Sequence, residues 1–388
     1  MRRRRSRRGA VANGLGADCG GGVRWGGNVD NGGVRTQGSA QVAARWDERL
    51  TYGLTSCRLS GVRKGAIMRR HAVTERQLDE AEAARRCLHT TDDTVQQALR
   101  RRRREGEIVS PMPGLFIRRT TWEKLTPIEQ MCHLVRGLAQ IHPDWVFAGV
   151  AAACILGLWI DYRTVNEALR SGKVDVMCTM RNGKGDSRHV HRIRSDAGSC
   201  MRVDGVKVTT PEQTAADCAR MLPFDAAMQV VCCVLHNGVE LASIIGCAAH
   251  TGEIGKMERA VFKYASPLVE NGGEAKALAR FVQCGFAVPQ MQVVFVDPQT
   301  GRTYRVDFLW LTNDGRIIVV ELDGLVKYTD PQMTKGRTLG GIIDDERERV
   351  EGLKRAGVHT VVRIRMEDLN NTAMLQRKLL NAGVPVRR

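Results

Sequence analysis

The stretch that decides how this chain reads is Arg305-Val-Asp307-Phe-Leu-Trp310, then Asn313-Asp-Gly315, then Ile317-Ile-Val-Val-Glu321-Leu-Asp323-Gly324. It predicts a tight hairpin of two strands, closed by a three-residue loop in which Gly315 supplies a positive φ. Pairing about Asp314 sets Asp307 opposite Glu321, and Asp323 follows on the same face because side chains alternate with period two. Three carboxylates therefore converge at one end of strands otherwise built from Val, Ile, Leu, Phe and Trp. Like charges facing each other across a sheet destabilise it, and burying them is costly without a counter-charge. A divalent cation with oxygen ligands, Mg²⁺ first and Mn²⁺ as its substitute, would supply that charge. So would ordinary ion pairs, Asp307 with Arg305 or Arg363 and Glu321 with Lys327.

Around the hairpin, residues 251–388 are strongly patterned. A helix over Glu274–Cys284 ends at Gly285. Strands follow at Val288–Val296, Tyr304–Leu311 and Arg316–Leu322. A helix from about Ile342 to Ala356 ends at Gly357, then come a strand over Thr360–Ile364 and a last helix near Met374–Asn381. The order is αβββαβ, and strands apolar on both faces fit a central sheet covered by helices on both sides. Glu346 and Arg349 lie one helical turn apart, placed to pair with each other or to support the carboxylates from the following helix.

Farther upstream, residues 68–120 read as a unit of their own. Thr74–Arg86 predicts a helix. Thr91 is the expected cap of a second helix, with Asp92 and Asp93 in its first turn. That helix runs through Val95 and Leu99 into Arg100-Arg-Arg-Arg-Arg104. Glu107–Ser110, a Pro111-Met-Pro-Gly114 turn and Leu115–Arg118 make a small hairpin. Helix, helix, wing is the order of a winged helix-turn-helix. With Val95 and Leu99 inward, Arg100, Arg101, Arg103 and Arg104 point out, and with Arg118 they are the expected contacts to DNA phosphates and base edges. A solvated basic helix end is the plainer alternative.

Residues 121–250 predict a mixed α and β region. Helices are expected at Pro127–His142, at Phe147–Leu158, and from Thr210-Pro211 to Leu222. Strands are expected at Lys173–Met180, His189–Arg194 and Val203–Thr209. His189 and His191 sit two apart on one strand and could share a metal, but without further ligands they read as strand histidines.

The 388 residues are 43% hydrophobic, and no apolar run is long enough to span a bilayer. The 12 cysteines have neither CxxC pairs nor zinc spacing; Cys154, Cys218, Cys232 and Cys247 read as reduced core thiols of a cytoplasmic protein. The formal charge is +17; residues 1–67 hold +9 of it and the remainder keeps +8. That surplus favours an anionic partner, nucleic acid first. The first 67 residues are rich in Gly and Arg, without hydrophobic period, and are expected to be disordered. They are either a nucleic-acid-binding arm or translated upstream sequence before a true start at Met68.

Two resemblances follow from these motifs. Residues 69–250 resemble the abortive-infection type IV antitoxin family in the winged-helix unit, in Ala151-Ala-Ala-Cys-Ile-Leu-Gly-Leu158, and in Val206-Lys-Val-Thr-Thr-Pro211 with Thr214, Asp217, Ala219 and Arg220. This resemblance implies operator binding by the winged helix and neutralisation of a cognate nucleotidyltransferase-like toxin. Residues 266–370 resemble the very-short-patch-repair-like group of the PD-(D/E)XK nuclease superfamily. The matching positions are Glu274 with Gly285 and Pro289, Val306-Asp307-Phe308, Glu321-Leu-Asp323-Gly324, Glu346 with Arg349 and Leu353, and Val362-Arg363. It implies a restriction-endonuclease-like fold with Asp307 and Glu321 as metal ligands, Glu274 assisting, and Glu346 and Arg349 in support. The metal would activate a water for phosphodiester cleavage. The lysine of the parent motif, two residues after Glu321, is replaced by Asp323. Either Lys327 substitutes for it or Asp323 adds a ligand.

The expectation is therefore an α+β multidomain chain: an N-terminal extension over 1–67, a winged helix over 68–120, a mixed α/β middle over 121–250, and an αβββαβ domain over 251–388. It is either a Mg²⁺-dependent DNA endonuclease or an antitoxin-like DNA-binding regulator whose nuclease fold is not catalytic. A third reading is an RNA-directed nuclease.

Overall fold

The computed structural model describes residues 72–179, 185–195, 200–323 and 339–387, with backbone alone over 339–344. The expectations for residues 1–67 and for Lys327 lie outside the described residues. The described chain is mixed α and β, and none of its helices is long and apolar enough to cross a membrane.

Helices α1 (Ala72–Ala83) and α2 (Asp93–Arg104) precede a minimal antiparallel hairpin of β1 (Ile108–Val109) and β2 (Ile117–Arg118). Leu78, Ala81, Leu88, Val95, Leu99, Ile108 and Phe116 form their shared core. The cap of α2 is Asp92, not Thr91: its Oδ1 accepts the amides of Thr94 and Val95 at 2.8 and 3.2 Å, leaving Thr91 one residue outside the helix.

A short α3 (Arg119–Trp122) leads to α4 (Pro127–Ile141), opened by Pro127 and a reciprocal Thr126–Glu129 capping box. The helix expected from Phe147 begins only at Gly149, as α5 (Gly149–Ile155). Phe147 instead works as a strand residue, bridging Val208 through its own amide and carbonyl, to Lys207 and Thr209, and bridging Val176 through the backbones of Val146 and Ala148 on either side. Gly149 marks the break, with φ +49° and a position where a Cβ would meet Asp175 Oδ2 at 2.7 Å. Next come α6 (Tyr162–Ser171), the parallel pair β3 (Val174–Cys178) and β4 (Val190–Arg194), and the antiparallel pair β5 (Cys200–Val203) and β6 (Val206–Thr209). The single strand expected over Val203–Thr209 is thus a hairpin. Asp204 and Gly205, at φ +49° and +80°, turn the chain between its halves, as an Asp-Gly pair is suited to do.

Helices α7 (Pro211–Met221), α8 (Phe224–His236), α9 (Leu241–His250) and α10 (Lys256–Tyr264) complete the middle of the chain. Thr210 caps α7 as expected, accepting the Gln213 amide. The sequence reading missed α8 because it is buried on every side from Phe224 to Leu235 and so lacks an amphipathic stripe. Cys154, Cys218 and Cys232 are buried as expected, and burial pushes the Cys232 thiol up to about 12.

The C-terminal part contains α11 (Gly272–Gln283), β7 (Gln290–Val296), β8 (Thr303–Leu311), β9 (Ile317–Asp323), α12 (Leu339–Arg355), β10 (Thr360–Arg365) and α13 (Thr372–Asn381). The sheet order is β10-β9-β8-β7, with β9 and β10 parallel and the other pairs antiparallel. Phe308, Trp310, Ile318, Val320 and Ile364 cover one face together with Phe281 of α11 and Leu375 of α13. The other face carries Val306, Leu309 and Val319 against Leu353 of α12. Helices therefore cover both faces, as the doubly apolar strands require. One apolar core runs from α4 through α8 and α11 into this sheet, and Arg280 of α11 pairs with Asp225 of α8 at 2.9 Å. The buried Asp297 after β7 takes two hydrogen bonds from Arg355, at 2.6 and 3.1 Å, tying the end of α12 to the β7–β8 turn.

Candidate metal centre and nucleic-acid interface

The hairpin register matches the sequence reading. Phe308 pairs with Val320 and Leu311 with Ile317, and Gly315 turns at φ +82°. Pairing between β8 and β9 stops at Phe308–Val320, so Asp307 and Glu321 are the first residues past the end of the ladder. From there β8 continues only beside β7 and β9 only beside β10. The strands splay, and side chains take over the open end. Asp307 Oδ2 accepts the Leu322 amide at 2.8 Å. Arg349 enters from α12: Nη2 donates to the Arg305 carbonyl at 2.6 Å and also to Glu321, while Nε donates to Glu321 at 3.1 Å. Its guanidinium stands 5.7 Å from the centre of the Tyr304 ring.

A second arginine lies across β9. Arg363 is in register with Glu321 on β10. Its guanidinium is 3.9 Å from Glu321, 3.8 Å from Asp323 and paired with Glu346. Two expectations are corrected here. Glu346 and Arg349 do not pair with each other; each meets a different partner, Arg363 and Glu321. Arg363 lies with Glu321, Asp323 and Glu346 rather than with Asp307, because the parallel register of β10 sets it beside β9.

Glu274 is near the site, but its oxygens are engaged. As the third residue of α11 it accepts from the Glu270 amide, the Asn271 side chain and Gln292. Burial pushes its carboxyl above the ordinary range, and the charge of Asp307 pushes the same way. Both of its oxygens accept hydrogen bonds from neighbouring residues. Among the described residues, no three His, Cys, Asp or Glu side chains group so as to hold a metal ion.

On α2, Arg100, Arg101, Arg103 and Arg104 are exposed, while Arg102 is buried and bridges Glu75 and Glu107 at 2.9 and 2.6 Å. Arg118 is a correction. Its guanidinium is held by Glu75, Asp79 and Glu82 at 2.6 to 2.7 Å, so it faces three carboxylates and not solvent. The signal was in the sequence: positions 75, 79 and 82 share one face of a helix.

In the middle region, His189 and His191 meet different partners. His189 Nδ1 meets the Gly172 carbonyl at 3.2 Å and His191 Nδ1 meets Asp175 at 2.9 Å. Asp175 also accepts the Val150 amide at 3.0 Å. Beside it the buried Asp217 accepts from Gln213 at 2.8 Å, and burial pushes its carboxyl up to about 7. Sequence patterning assigns no role to this cluster beyond the antitoxin-like motif that contains Asp217.

No family model, curated protein or solved structure matches this chain.

Proposed function

We propose that the chain is a DNA-binding protein with a Mg²⁺-dependent endonuclease centre of the PD-(D/E)XK, restriction-endonuclease-like type, brought to DNA by a winged helix over residues 72–118. One observation carries the reading: β8 and β9 part at Asp307 and Glu321, the first residues past the Phe308–Val320 pair, so both carboxylates stand at the open end of an apolar sheet. The donor set fits a hard cation, since Mg²⁺ is held by one or two carboxylates and completed by water and substrate oxygens. Asp307 and Glu321 would hold it, with Asp323 adjacent on the same face. When bound it would activate water and stabilise charge on the phosphate.

The chain's own residues account for the replaced lysine. Arg349 and Arg363 bring two positive charges to Glu321 from neighbouring elements. Arg363 is the one suited to meet a scissile phosphate, because a guanidinium presents paired donors to phosphate oxygens. On α2, Arg100, Arg101, Arg103 and Arg104 supply the phosphate-binding face.

The test is cleavage of supercoiled and linear DNA with Mg²⁺ or Mn²⁺, against EDTA and a Glu321→Gln variant. Cleavage that requires both the metal and Glu321 is the expected result. A second reading, a type IV antitoxin-like regulator with a cognate nucleotidyltransferase-like toxin, is favoured by the ion pairs that already neutralise Glu321 through Arg349 and Arg363. Salt-sensitive DNA binding with no cleavage across varied substrates would select it and reject the nuclease.

A further inference from the structure

Gln292 has no place in the carboxylate reading, yet it stands opposite Asp307. The flanking pairs Met291–Phe308 and Val293–Val306 fix that position. It lies inside β7 but has φ +55°, a left-handed value disfavoured for any residue with a Cβ. Its Nε2 donates to Glu274 Oε2 at 3.0 Å. A carboxylate only accepts, so the nitrogen of the amide faces Glu274 and the oxygen faces away. That oxygen, Oε1, is enclosed and has no hydrogen-bond partner among the described residues. Enclosed amide oxygens rarely lack a donor, and strained backbone persists where the surroundings hold it for a purpose. Both features occur on one residue, beside the carboxylate pair.

We infer that Gln292 Oε1 is a neutral oxygen ligand for the divalent cation of the Asp307–Glu321 centre; the assignment rests on the cation proposed above. An amide oxygen adds a lone pair without adding to the repulsion between the carboxylates. Glu274 then has a definite task. Its carboxylate captures Nε2 and so turns Oε1 toward the cation, which makes Glu274 a positioning residue.

The experiment uses the full chain with Mn²⁺ alone as probe and measures its Kd by calorimetry and the Tm in EDTA. Wild type is compared with Gln292→Gly, Gln292→Met and Asp307→Asn. Glycine adopts φ +55° without steric cost, so Gln292→Gly keeps or raises the Tm while weakening Mn²⁺ binding about 10- to 100-fold. Gln292→Met, which keeps the bulk but not the oxygen, weakens it as much. Wild-type affinity in both Gln292 variants overturns the assignment, whatever their Tm. If wild type and Asp307→Asn bind Mn²⁺ equally, or neither binds, the cation centre itself is wrong and this assignment falls with it.

Discussion

Asp217 offers a test of the buried middle region that needs no ligand. Its carboxyl lies under α5 and beside Asp175, with Oδ1 accepting from Gln213 and Oδ2 buried. Burial raises it from 3.8 to about 7. A raised carboxyl means that the folded chain binds a proton more tightly than the unfolded chain. Stability from this group is thus full at low pH and declines as pH rises from about 4 to about 7, after which it is level. Three pH units correspond to about 4 kcal/mol, of which roughly 2 to 3 kcal/mol accrues between pH 5 and 8. Asp217→Asn keeps the shape and an acceptor for Gln213 but cannot ionise. The measurement is urea unfolding followed by circular dichroism across pH 5–8 for both proteins. Subtracting the profiles cancels other titrating groups, such as His191, which Asp175 raises, and His133, which burial lowers. The variant should gain on wild type steadily with pH. A difference that stays flat across this window would show that Asp217 is ionised in the fold and would refute the reasoning.

Two further outcomes are expected. Replacing Arg101 and Arg103 with alanine should weaken DNA binding at all sequences and lower the slope of log K against log salt by about 2, whereas Arg118→Ala should instead lower the Tm, because it leaves Glu75, Asp79 and Glu82 facing one another. Arg349→Met should cost about 3–5 kcal/mol by leaving Glu321 enclosed without its partner, and Glu321→Gln in the same chain should recover part of that loss in a double-mutant cycle of unfolding measurements.

What could be read from sequence was local. The apolar strands about Asn313-Asp-Gly315 announced their own pairing, and Thr210-Pro211 announced a helix start, because these signals lie within a few residues of what they control. Arg102 was separated from its exposed neighbours by helical period alone, since Val95 and Leu99 fix the inward face. What escaped was set by distant partners. An apolar stretch such as Phe224–Leu235 has no face to read when every face is covered. Phe147 left the expected helix because β3 and β6 take up its backbone from residues 29 and 61 positions away. The site shows the same divide. The register that brings Asp307 and Glu321 to the end of the ladder follows from one turn, while the arginines on Glu321 depend on a parallel crossover and on how α12 lies against the sheet. Gln292 needed a third strand in register before its place opposite Asp307 could be known.

On the proposed nuclease reading, the two arginines are not equivalent replacements for the lysine that the resembled motif carries. A lysine two residues after Glu321 would rise from the same strand, its charge moving with β9. Here that position is Asp323, so β9 carries two negative charges, and the positive charge comes from outside. Arg349 fills the gap where the β8–β9 ladder ends: it satisfies the Arg305 carbonyl that β9 no longer reaches and packs over Tyr304. Moving it away would leave a carbonyl and a carboxylate without their donor, so it is bound to the architecture of the splay. Arg363 has looser ties, standing 3.8 and 3.9 Å from Asp323 and Glu321. Distances of that size are Coulombic rather than hydrogen-bonded. If a cation takes over neutralisation of Glu321, Arg363 loses least by turning its donors to a phosphate, while Arg349 keeps the strands apart. In that arrangement the lysine's two duties, shielding the carboxylate and meeting the phosphate, fall to separate side chains on separate elements.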